Sequence, residues 1–509
     1  MSSWLASRVE GFARTQPTQR AVTEGDRSLD YASLWTNARA FAAGLRERGF
    51  TPGDRVALIL PNTIEAVIAT YGTWLAGGVI VPLNAQAKAR DFGPWLRHAE
   101  ARVVVHEAGH AESELAIAEQ DVAPIVVVTG TGAAPPSALR WDDVLVEAAH
   151  PHVDVDADEL AMILYTSGTT GRPKGVMLSH GNLAANVQSI VEYLGLGATD
   201  SIVSVLPFYY SYGASVLHTH LCAGARVVIE SNLVFPHLMV ETMARERVSG
   251  FSGVPSTFVL LLNRVALDQY DLSSLRYLTQ AGGAMAPATT TRLHAALPSA
   301  RIFVMYGQTE ATARLAWLPP DRLEEKLGSV GIAIPGVEIE VRDENGRRAE
   351  VLAVGDVYAR GANVMLGYWK DAETTAGVLK DGWLKTGDMG HVDTDGFLFL
   401  SGRRGDMIKT GAHRVHPKDV EEVIAELAGV GEVAVVGIDD EVMGQVIKAF
   451  IVPVADADVS IDRVKAHCRE RLAIYKIPKF IEFVADLPKT ASGKIRRAVL
   501  AGSDLREVS

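Results

Sequence analysis

The sequence predicts an α/β protein: a large N-terminal domain of doubly wound sheets carrying a β-rich subdomain, then a small α+β C-terminal domain. Three observations predict it. Short β-branched runs alternate with helical patterns through the first hundred residues, and a series of short strands with turn signals takes over from about Gly328 to Tyr368. After Ser401-Gly-Arg-Arg-Gly-Asp406 the pattern changes again, to a compact mixed unit.

In order, Arg55-Val-Ala-Leu-Ile-Leu60 reads as a buried strand, Thr63 to Trp74 as a helix, Val79-Ile-Val81 as a strand, Asp91 to His98 as a helix and Arg102-Val-Val-Val105 as a strand. That order needs crossovers, and so a largely parallel sheet. The alternation resumes at Ser201 to Val205, Arg226 to Ile229 and Arg301 to Val304, while Asp343-Glu-Asn-Gly346 marks a turn in the β-rich region. Near the end, Pro417 sits at a helix start, Val420, Val423, Ile424 and Leu427 form an apolar stripe, and Gly429 stops the helix. Strands over Val433 to Ile438 and Val446 to Val452 and a helix over Asp462 to Leu472 follow. The expected units are 1–402, a connection at 403–406, and 407–509.

Composition narrows the function. Of 509 residues, 48% are hydrophobic and 22% charged, an ordinary globular balance. The 61 Asp and Glu outnumber the 49 Lys and Arg, giving a net charge of −12, the wrong sign for a protein that neutralises nucleic-acid phosphates. Only Cys222 and Cys468 occur, so neither a disulfide framework nor a thiolate metal site is expected, and a reducing compartment fits. The N-terminus lacks the pattern of a signal peptide, and the apolar run Trp74 to Leu83 falls short of the ~20 residues a membrane helix needs. The reading is a cytoplasmic protein with no membrane span.

The segment richest in chemistry is Leu164-Tyr-Thr-Ser-Gly-Thr-Thr-Gly-Arg-Pro-Lys-Gly175. Its glycines let backbone amides approach a ligand, the hydroxyls of Thr166, Ser167, Thr169 and Thr170 can donate to phosphoryl oxygens, Gly168 opens the loop, and Lys174 adds positive charge. The Gly168-x-x-Gly171-x-x-Lys174 spacing is that of a phosphate loop other than Walker A.

At this loop the chain resembles the adenylate-forming superfamily of acyl-CoA synthetases, coumarate-CoA ligases, luciferases and peptide-synthetase adenylation domains. Four further segments match in order: Tyr306-Gly-Gln-Thr-Glu310, Gly382-Trp-Leu-Lys-Thr-Gly-Asp388, Gly402-Arg-Arg-Gly-Asp-Met-Ile408 and Pro488-Lys-Thr-Ala-Ser-Gly-Lys494. The resemblance implies an N-terminal domain that binds ATP and an acyl group, and a mobile C-terminal domain. It also implies a carboxylic acid substrate, Mg²⁺, CoA as co-substrate, and acyl-adenylate formation with release of pyrophosphate. Tyr306 would pack on adenine, Gly283 would lie in the nucleotide site, and Thr309 would contact the α-phosphate. Glu310 would hold Mg²⁺ with a hard oxygen ligand. Asp388 would accept from the ribose hydroxyls, with Arg403 donating to the same sugar. Lys494 would bridge carboxylate and α-phosphate oxygens, making it the leading catalytic residue. No nucleophile or base is needed, because an ionised carboxylate attacks phosphorus directly.

The acyl group would meet Leu206-Pro-Phe-Tyr-Tyr-Ser-Tyr-Gly213, Phe251-Ser-Gly-Val-Pro-Ser256 and Gln280-Ala-Gly-Gly-Ala-Met285, with Tyr209, Tyr210, Tyr212, Gly213, Ser256 and Gly282 as contacts. Tyr210 stands where many relatives carry His. The tyrosines suggest a neutral, mostly apolar pocket with a few hydroxyl donors, suited to an aliphatic, alicyclic or aromatic acid. His218 and His220 read as structural.

Rotation about Gly405 would exchange Lys494 for the loop Ile408 to His416, whose Lys409, Gly411, Ala412 and Arg414 would line the acceptor channel. Ala412 replaces a common Gly, so an amine or amino-acid acceptor, as in coronafacate-ligase-like amide formation, and a carrier-protein thiol stand as alternatives to CoA. A catalytically inactive acyl or nucleotide sensor is the remaining alternative, and a homodimer is compatible with the sequence.

Overall fold

Alternating apolar strands and helices close into two large sheets with helices packed between and around them. The computed structural model describes residues 4–147, 152–166, 174–230, 235–411, 413–440, 443–455, 457–490 and 493–502. One sheet has eight strands, in the order Leu139–Arg140, Ile125–Thr129, Ala101–Glu107, Arg55–Ile59, Val79–Pro82, Leu160–Thr166, Lys174–Ser179 and Gly367–Tyr368. The nine-stranded sheet has a parallel centre formed by Arg226–Ile229, Ser201–Ser204, Gly250–Gly253, Tyr277–Gln280 and Arg301–Tyr306.

The helix Ile64–Leu75 shows why these sheets hold together. It is apolar almost all round, and every residue except Glu65 is buried. Thr63 caps it by accepting from the Ala66 amide at 3.2 Å, and Trp74 Nε1 donates to the Ala161 carbonyl at 2.9 Å.

The parallel expectation fails at one functional place. Leu160–Thr166 and Lys174–Ser179 form an antiparallel hairpin, with Thr166 opposite Lys174. A connection of seven residues is too short for a crossover, so the chain must turn back on itself. The helix His180–Leu194 begins directly afterwards, through a capping box between Ser179 and Asn182.

The β-rich region is a third, antiparallel sheet of Val337–Arg342, Gly355–Gly361, Trp383–Val392, Leu379–Lys380 and Leu398–Arg403. It runs on to Arg403, past the expected Tyr368, and the Gly367–Tyr368 strand joins the eight-stranded sheet instead.

The fourth sheet contains Ile408–Thr410, His413–Val415, the long hairpin Val430–Asp440 and Gly444–Pro453, and Phe480–Phe483. With the helices Pro417–Ala425 and Ile461–Arg471 it buries its own core around Ile408, Val420, Ile424, Val435, Ile447 and Val464. The helix Pro417–Ala425 also faces the third sheet, where Lys418 Nζ donates to the Leu400 carbonyl at 2.8 Å.

Candidate active site

The third sheet, the end of the strand Arg301–Tyr306 and the C-terminal loop meet in one cleft. Asp388 and Arg403 are register partners on neighbouring antiparallel strands, and Arg403 Nε lies 3.3 Å from Asp388 Oδ1. The other carboxylate oxygen accepts from the Tyr306 hydroxyl at 2.6 Å. Burial and the Asp388 charge push the Tyr306 phenol well above its ordinary range. Three separated motifs thus form one unit, joined by an ion pair on one side of Asp388 and a hydrogen bond on the other.

Thr309 and Glu310 lie on a short turn of helix after that strand. Thr309 Oγ1 is 3.2 Å from Ser211 Oγ, which ties the Tyr306–Glu310 motif to the tyrosine segment. Glu310 Oε1 accepts from the Tyr368 hydroxyl at 2.9 Å. Tyr368 also presents its ring face to Lys174, whose ammonium is 5.0 Å from the ring centroid. Glu310 suits Mg²⁺ as a single hard-oxygen ligand, since that ion is commonly held by one or two carboxylates together with substrate phosphates. Among the described residues no group of three or more His, Cys, Asp or Glu could hold a metal ion by itself.

Lys494 comes to this cleft from the far end of the chain. Thr490 holds its turn, donating its amide to the Lys494 carbonyl at 2.7 Å and accepting from the Lys494 amide at 3.1 Å. The preceding Gly493 has φ +78°, and a side chain there would meet Val254 Cγ2 at 2.8 Å and Ser256 Oγ at 2.9 Å. Glycine is therefore required where the loop docks on the expected acyl segment. The ammonium is open to solvent along the cleft but walled by protein, which lowers its pKa. Arg403 lowers it further, while Asp388 and Glu310 raise it. Lys494, Arg403, Asp388 and Glu310 therefore share one electrostatic site.

Other expected residues fall differently. Ser167, Gly168, Thr169, Thr170 and Ala412 lie outside the described residues. Tyr212 does not offer a free hydroxyl: its phenol is buried and lies 2.9 Å from both the Thr279 carbonyl and Thr279 Oγ1. Gly213 does not make room for an acyl group either. A side chain there would strike the Pro207 carbonyl at 2.1 Å, so the tight start of the helix Ser211–Cys222 already occupies that space. Tyr209 and Tyr210 touch, with ring centroids 4.6 Å apart. Tyr209 lines a cavity of about 20 Å³ with Phe208, Leu60, Pro61 and His218, which is room for about one water. Gly282 has φ +85° and borders Val254 and Tyr212, whereas Gly283 is exposed. Lys409 and Arg414 are exposed, and Gly411 donates its amide to the Met443 carbonyl at 2.8 Å.

The histidines behave as structural groups. Burial pushes His218 down to about 3 and His220 down to about 4; His218 Nδ1 is 3.3 Å from the Tyr71 hydroxyl and His220 Nε2 is 2.6 Å from that of Tyr277. Cys222 and Cys468 are both free and buried. Among the described residues no helix is long and apolar enough to cross a membrane.

Two residues of the site carry no signal that sequence reasoning picks up directly. Tyr368 lies 58 positions from Glu310, and no local spacing marks it. Arg314 is 3% exposed and carries its guanidinium 4.1 Å from the centroid of the Tyr212 ring, so this wall is positively charged where a neutral one was expected.

Known proteins are similar to this chain in sequence and in structure over nearly its whole length. A family model described as AMP-binding enzyme matches residues 9–369, and one described as AMP-binding enzyme C-terminal domain matches 419–494. The feruloyl-CoA synthase of an Amycolatopsis species is 34% identical over 501 residues, covering 97% of each chain. The 3-[(3aS,4S,7aS)-7a-methyl-1,5-dioxo-octahydro-1H-inden-4-yl]propanoyl:CoA ligase of Rhodococcus jostii (strain RHA1) is 33% identical over 512 residues, again covering 97% of each. The crystal structure of the anthranilate CoA ligase AuaEII in complex with anthranoyl-AMP superposes with a TM-score of 0.91 at 27% identity, covering 97% of this chain and 96% of that one. With both family models matched in order and the motifs gathered around one cleft, the chain belongs to the AMP-binding enzymes of the adenylate-forming superfamily.

Proposed function

We propose that the residues of this cleft divide between two successive steps that join a carboxylic acid to CoA. The observation that carries the reading is the approach of Lys494 to Asp388, Arg403 and Glu310 across four separate segments. In the first step a carboxylate oxygen attacks the α-phosphorus of ATP, the bond to the β-bridging oxygen breaks, and pyrophosphate leaves. Asp388, fixed by Tyr306 and Arg403, orients the ribose. Lys174 and the hydroxyl-rich loop before it hold phosphate oxygens, and Thr309 donates to the α-phosphate. Mg²⁺ held by Glu310 would neutralise phosphate charge. Lys494 stabilises the negative charge that builds between carboxylate and phosphorus, an effect strongest where the cation is already in place.

In the second step the thiol sulfur of CoA attacks the acyl carbon, AMP leaves and the thiol proton passes to solvent. The small domain turns about residues 403–406, withdrawing Lys494 and bringing in the loop of Lys409, Gly411, Ala412 and Arg414. Gly405 has open space around it and the freedom such a turn needs. CoA is favoured over an amine because the feruloyl, indenyl-propanoyl and anthranilate relatives, matched over nearly their whole length, are CoA ligases or synthases.

The test is incubation of the enzyme with ATP, Mg²⁺ and a panel of acids, offering CoA or amino acids separately and identifying products by mass spectrometry. Acid-dependent pyrophosphate release and an acyl-CoA product are expected. An amide as the sole product would replace the CoA reading.

A further inference from the structure

Arg314 is a cation in the protein interior. Its side chain is 3% exposed, and it donates to weak or neutral acceptors: Nε to the Met305 sulfur at 3.4 Å and Nη1 to the Ala313 carbonyl at 3.2 Å. The Tyr212 ring face lies 4.1 Å away, the Tyr193 phenol is also beside it, and the Arg314 carbonyl accepts from Asn186 and Asn363. Among the described residues no carboxylate pairs with it. A guanidinium has five donors and keeps its charge throughout the physiological range, so it cannot escape burial by losing a proton as a lysine can. A buried charge without a partner is costly, and such groups are normally paired.

Its place in the fold says what could pair with it. Gly493, beside Lys494, abuts Val254, and Val254 abuts Gly282. Gly282 in turn faces Tyr212, and the Tyr212 ring lies under Arg314. A chain of neighbours therefore links the Lys494 turn to the guanidinium, with one residue from each of the three segments assigned to the acyl group. Ser211, the residue before Tyr212, contacts Thr309, so the same chain of neighbours borders the α-phosphate motif.

We propose that Arg314 receives a second carboxylate of the substrate, so that the enzyme selects dicarboxylic acids, activating one carboxyl group at Lys494 and holding the other at Arg314. This rests on the acid-activating role of the cleft and supplies the substrate class for it. The planar fork of arginine matches a carboxylate with two parallel bonds, and the Tyr212 ring holds that fork from one face. A site built around such a donor set rejects an analogue that leaves it empty far more strongly than an apolar pocket rejects a missing methylene.

The experiment compares matched acids on the full-length enzyme: hexanedioate against hexanoate, terephthalate against p-toluate, and alicyclic pairs of the same design. Acid-dependent pyrophosphate release and acyl-CoA are both measured. The wild type should favour the dicarboxylic member of the better-used pair by ~10²-fold in kcat/KM or more. Arg314→Met, similar in length and uncharged, should reverse that order, while Arg314→Lys should keep part of it. A wild-type preference for the monocarboxylic members would overturn the proposal even if the variants failed to fold. So would an unchanged ranking in a folded Arg314→Met with only its thermal midpoint moved, the result of a purely structural arginine. If no acid released pyrophosphate, acid activation itself would fail; release without the dicarboxylate preference would remove only the role of Arg314.

Discussion

The Tyr368 hydroxyl donates to Glu310 Oε1 at 2.9 Å while the same ring lies beneath the Lys174 ammonium at 5.0 Å. One side chain thereby links the residue suited to Mg²⁺ with the cation that opens the second strand of the Thr166–Lys174 hairpin. Tyr368→Phe keeps the ring under Lys174 and removes only the bond to the carboxylate. A hydrogen bond to a charged group contributes about 1.5–3 kcal/mol, so the Mg²⁺ concentration for half-maximal pyrophosphate release should rise ~10-fold or more. MgATP binding measured by calorimetry should weaken in step, and the ranking of acids should stay the same. A changed ranking would place Tyr368 in the acyl pocket instead.

Lys494→Ala should lower acyl-adenylate formation by at least ~10²-fold, the scale lost with one preorganised charge stabiliser. Pre-formed acyl-adenylate should still be converted to thioester at a rate close to wild type, because in the proposed scheme the lysine has left the site by then. Equal losses in both half-reactions of a folded variant would remove the two-conformation scheme.

The surroundings of Lys494 also predict a pH limb. Desolvation by the walls of the cleft, and then Arg403, lower its pKa below the ordinary 10.5. The protonated form is the active one, so kcat/KM for adenylation should be full below the lowered pKa and fall as pH rises through it. That fall comes at a lower pH than a free lysine would give. Lys494→Arg should remove the limb from the accessible range, since a guanidinium does not titrate there. A limb that persists unmoved in the arginine variant would belong to another group.

Tyr210 and Tyr212 should separate cleanly. Tyr212→Phe strands the Thr279 partners in the core and should cost about 1–3 kcal/mol of stability, read from a denaturant midpoint, with the MgATP dependence unchanged. Tyr210→Phe should instead shift the preference among acids, with stability and MgATP use little altered. The opposite assignment of effects would exchange their roles.

The acceptor loop yields a selective defect. Arg414 is exposed in this arrangement. Arg414→Ala should leave pyrophosphate release with acid and ATP unchanged and slow thioester formation ~10-fold or more, the loss expected for one charge-assisted contact to a CoA phosphate. Ala412→Gly should raise the thioester rate if the methyl narrows the channel. A wild-type rate for Arg414→Ala would take this loop out of the acceptor site.

Two kinds of information were present in the chain from the start. The strand and helix order followed from local periodicity, which is why Arg55–Ile59, Ile64–Leu75 and Val79–Pro82 lie where the apolar runs do. Lys174 stood out as a cation in a glycine- and hydroxyl-rich loop of the kind that cradles phosphate, whereas Glu310, Asp388, Arg403 and Lys494 were named by the motifs that resemble the adenylate-forming superfamily. What the tertiary structure alone decided depends on contacts between distant segments. The Tyr212 hydroxyl is occupied because Thr279 lies 67 positions away on a neighbouring strand, and Gly213 is demanded by the Pro207 carbonyl rather than by a ligand. Tyr368 reaches Glu310 only because its two-residue strand closes the edge of the eight-stranded sheet. Arg314 looks like any surface arginine until the fold surrounds it. Local sequence carries backbone propensity and motif chemistry, but a buried hydrogen bond or an unpaired buried charge exists only once two remote stretches of chain share one space.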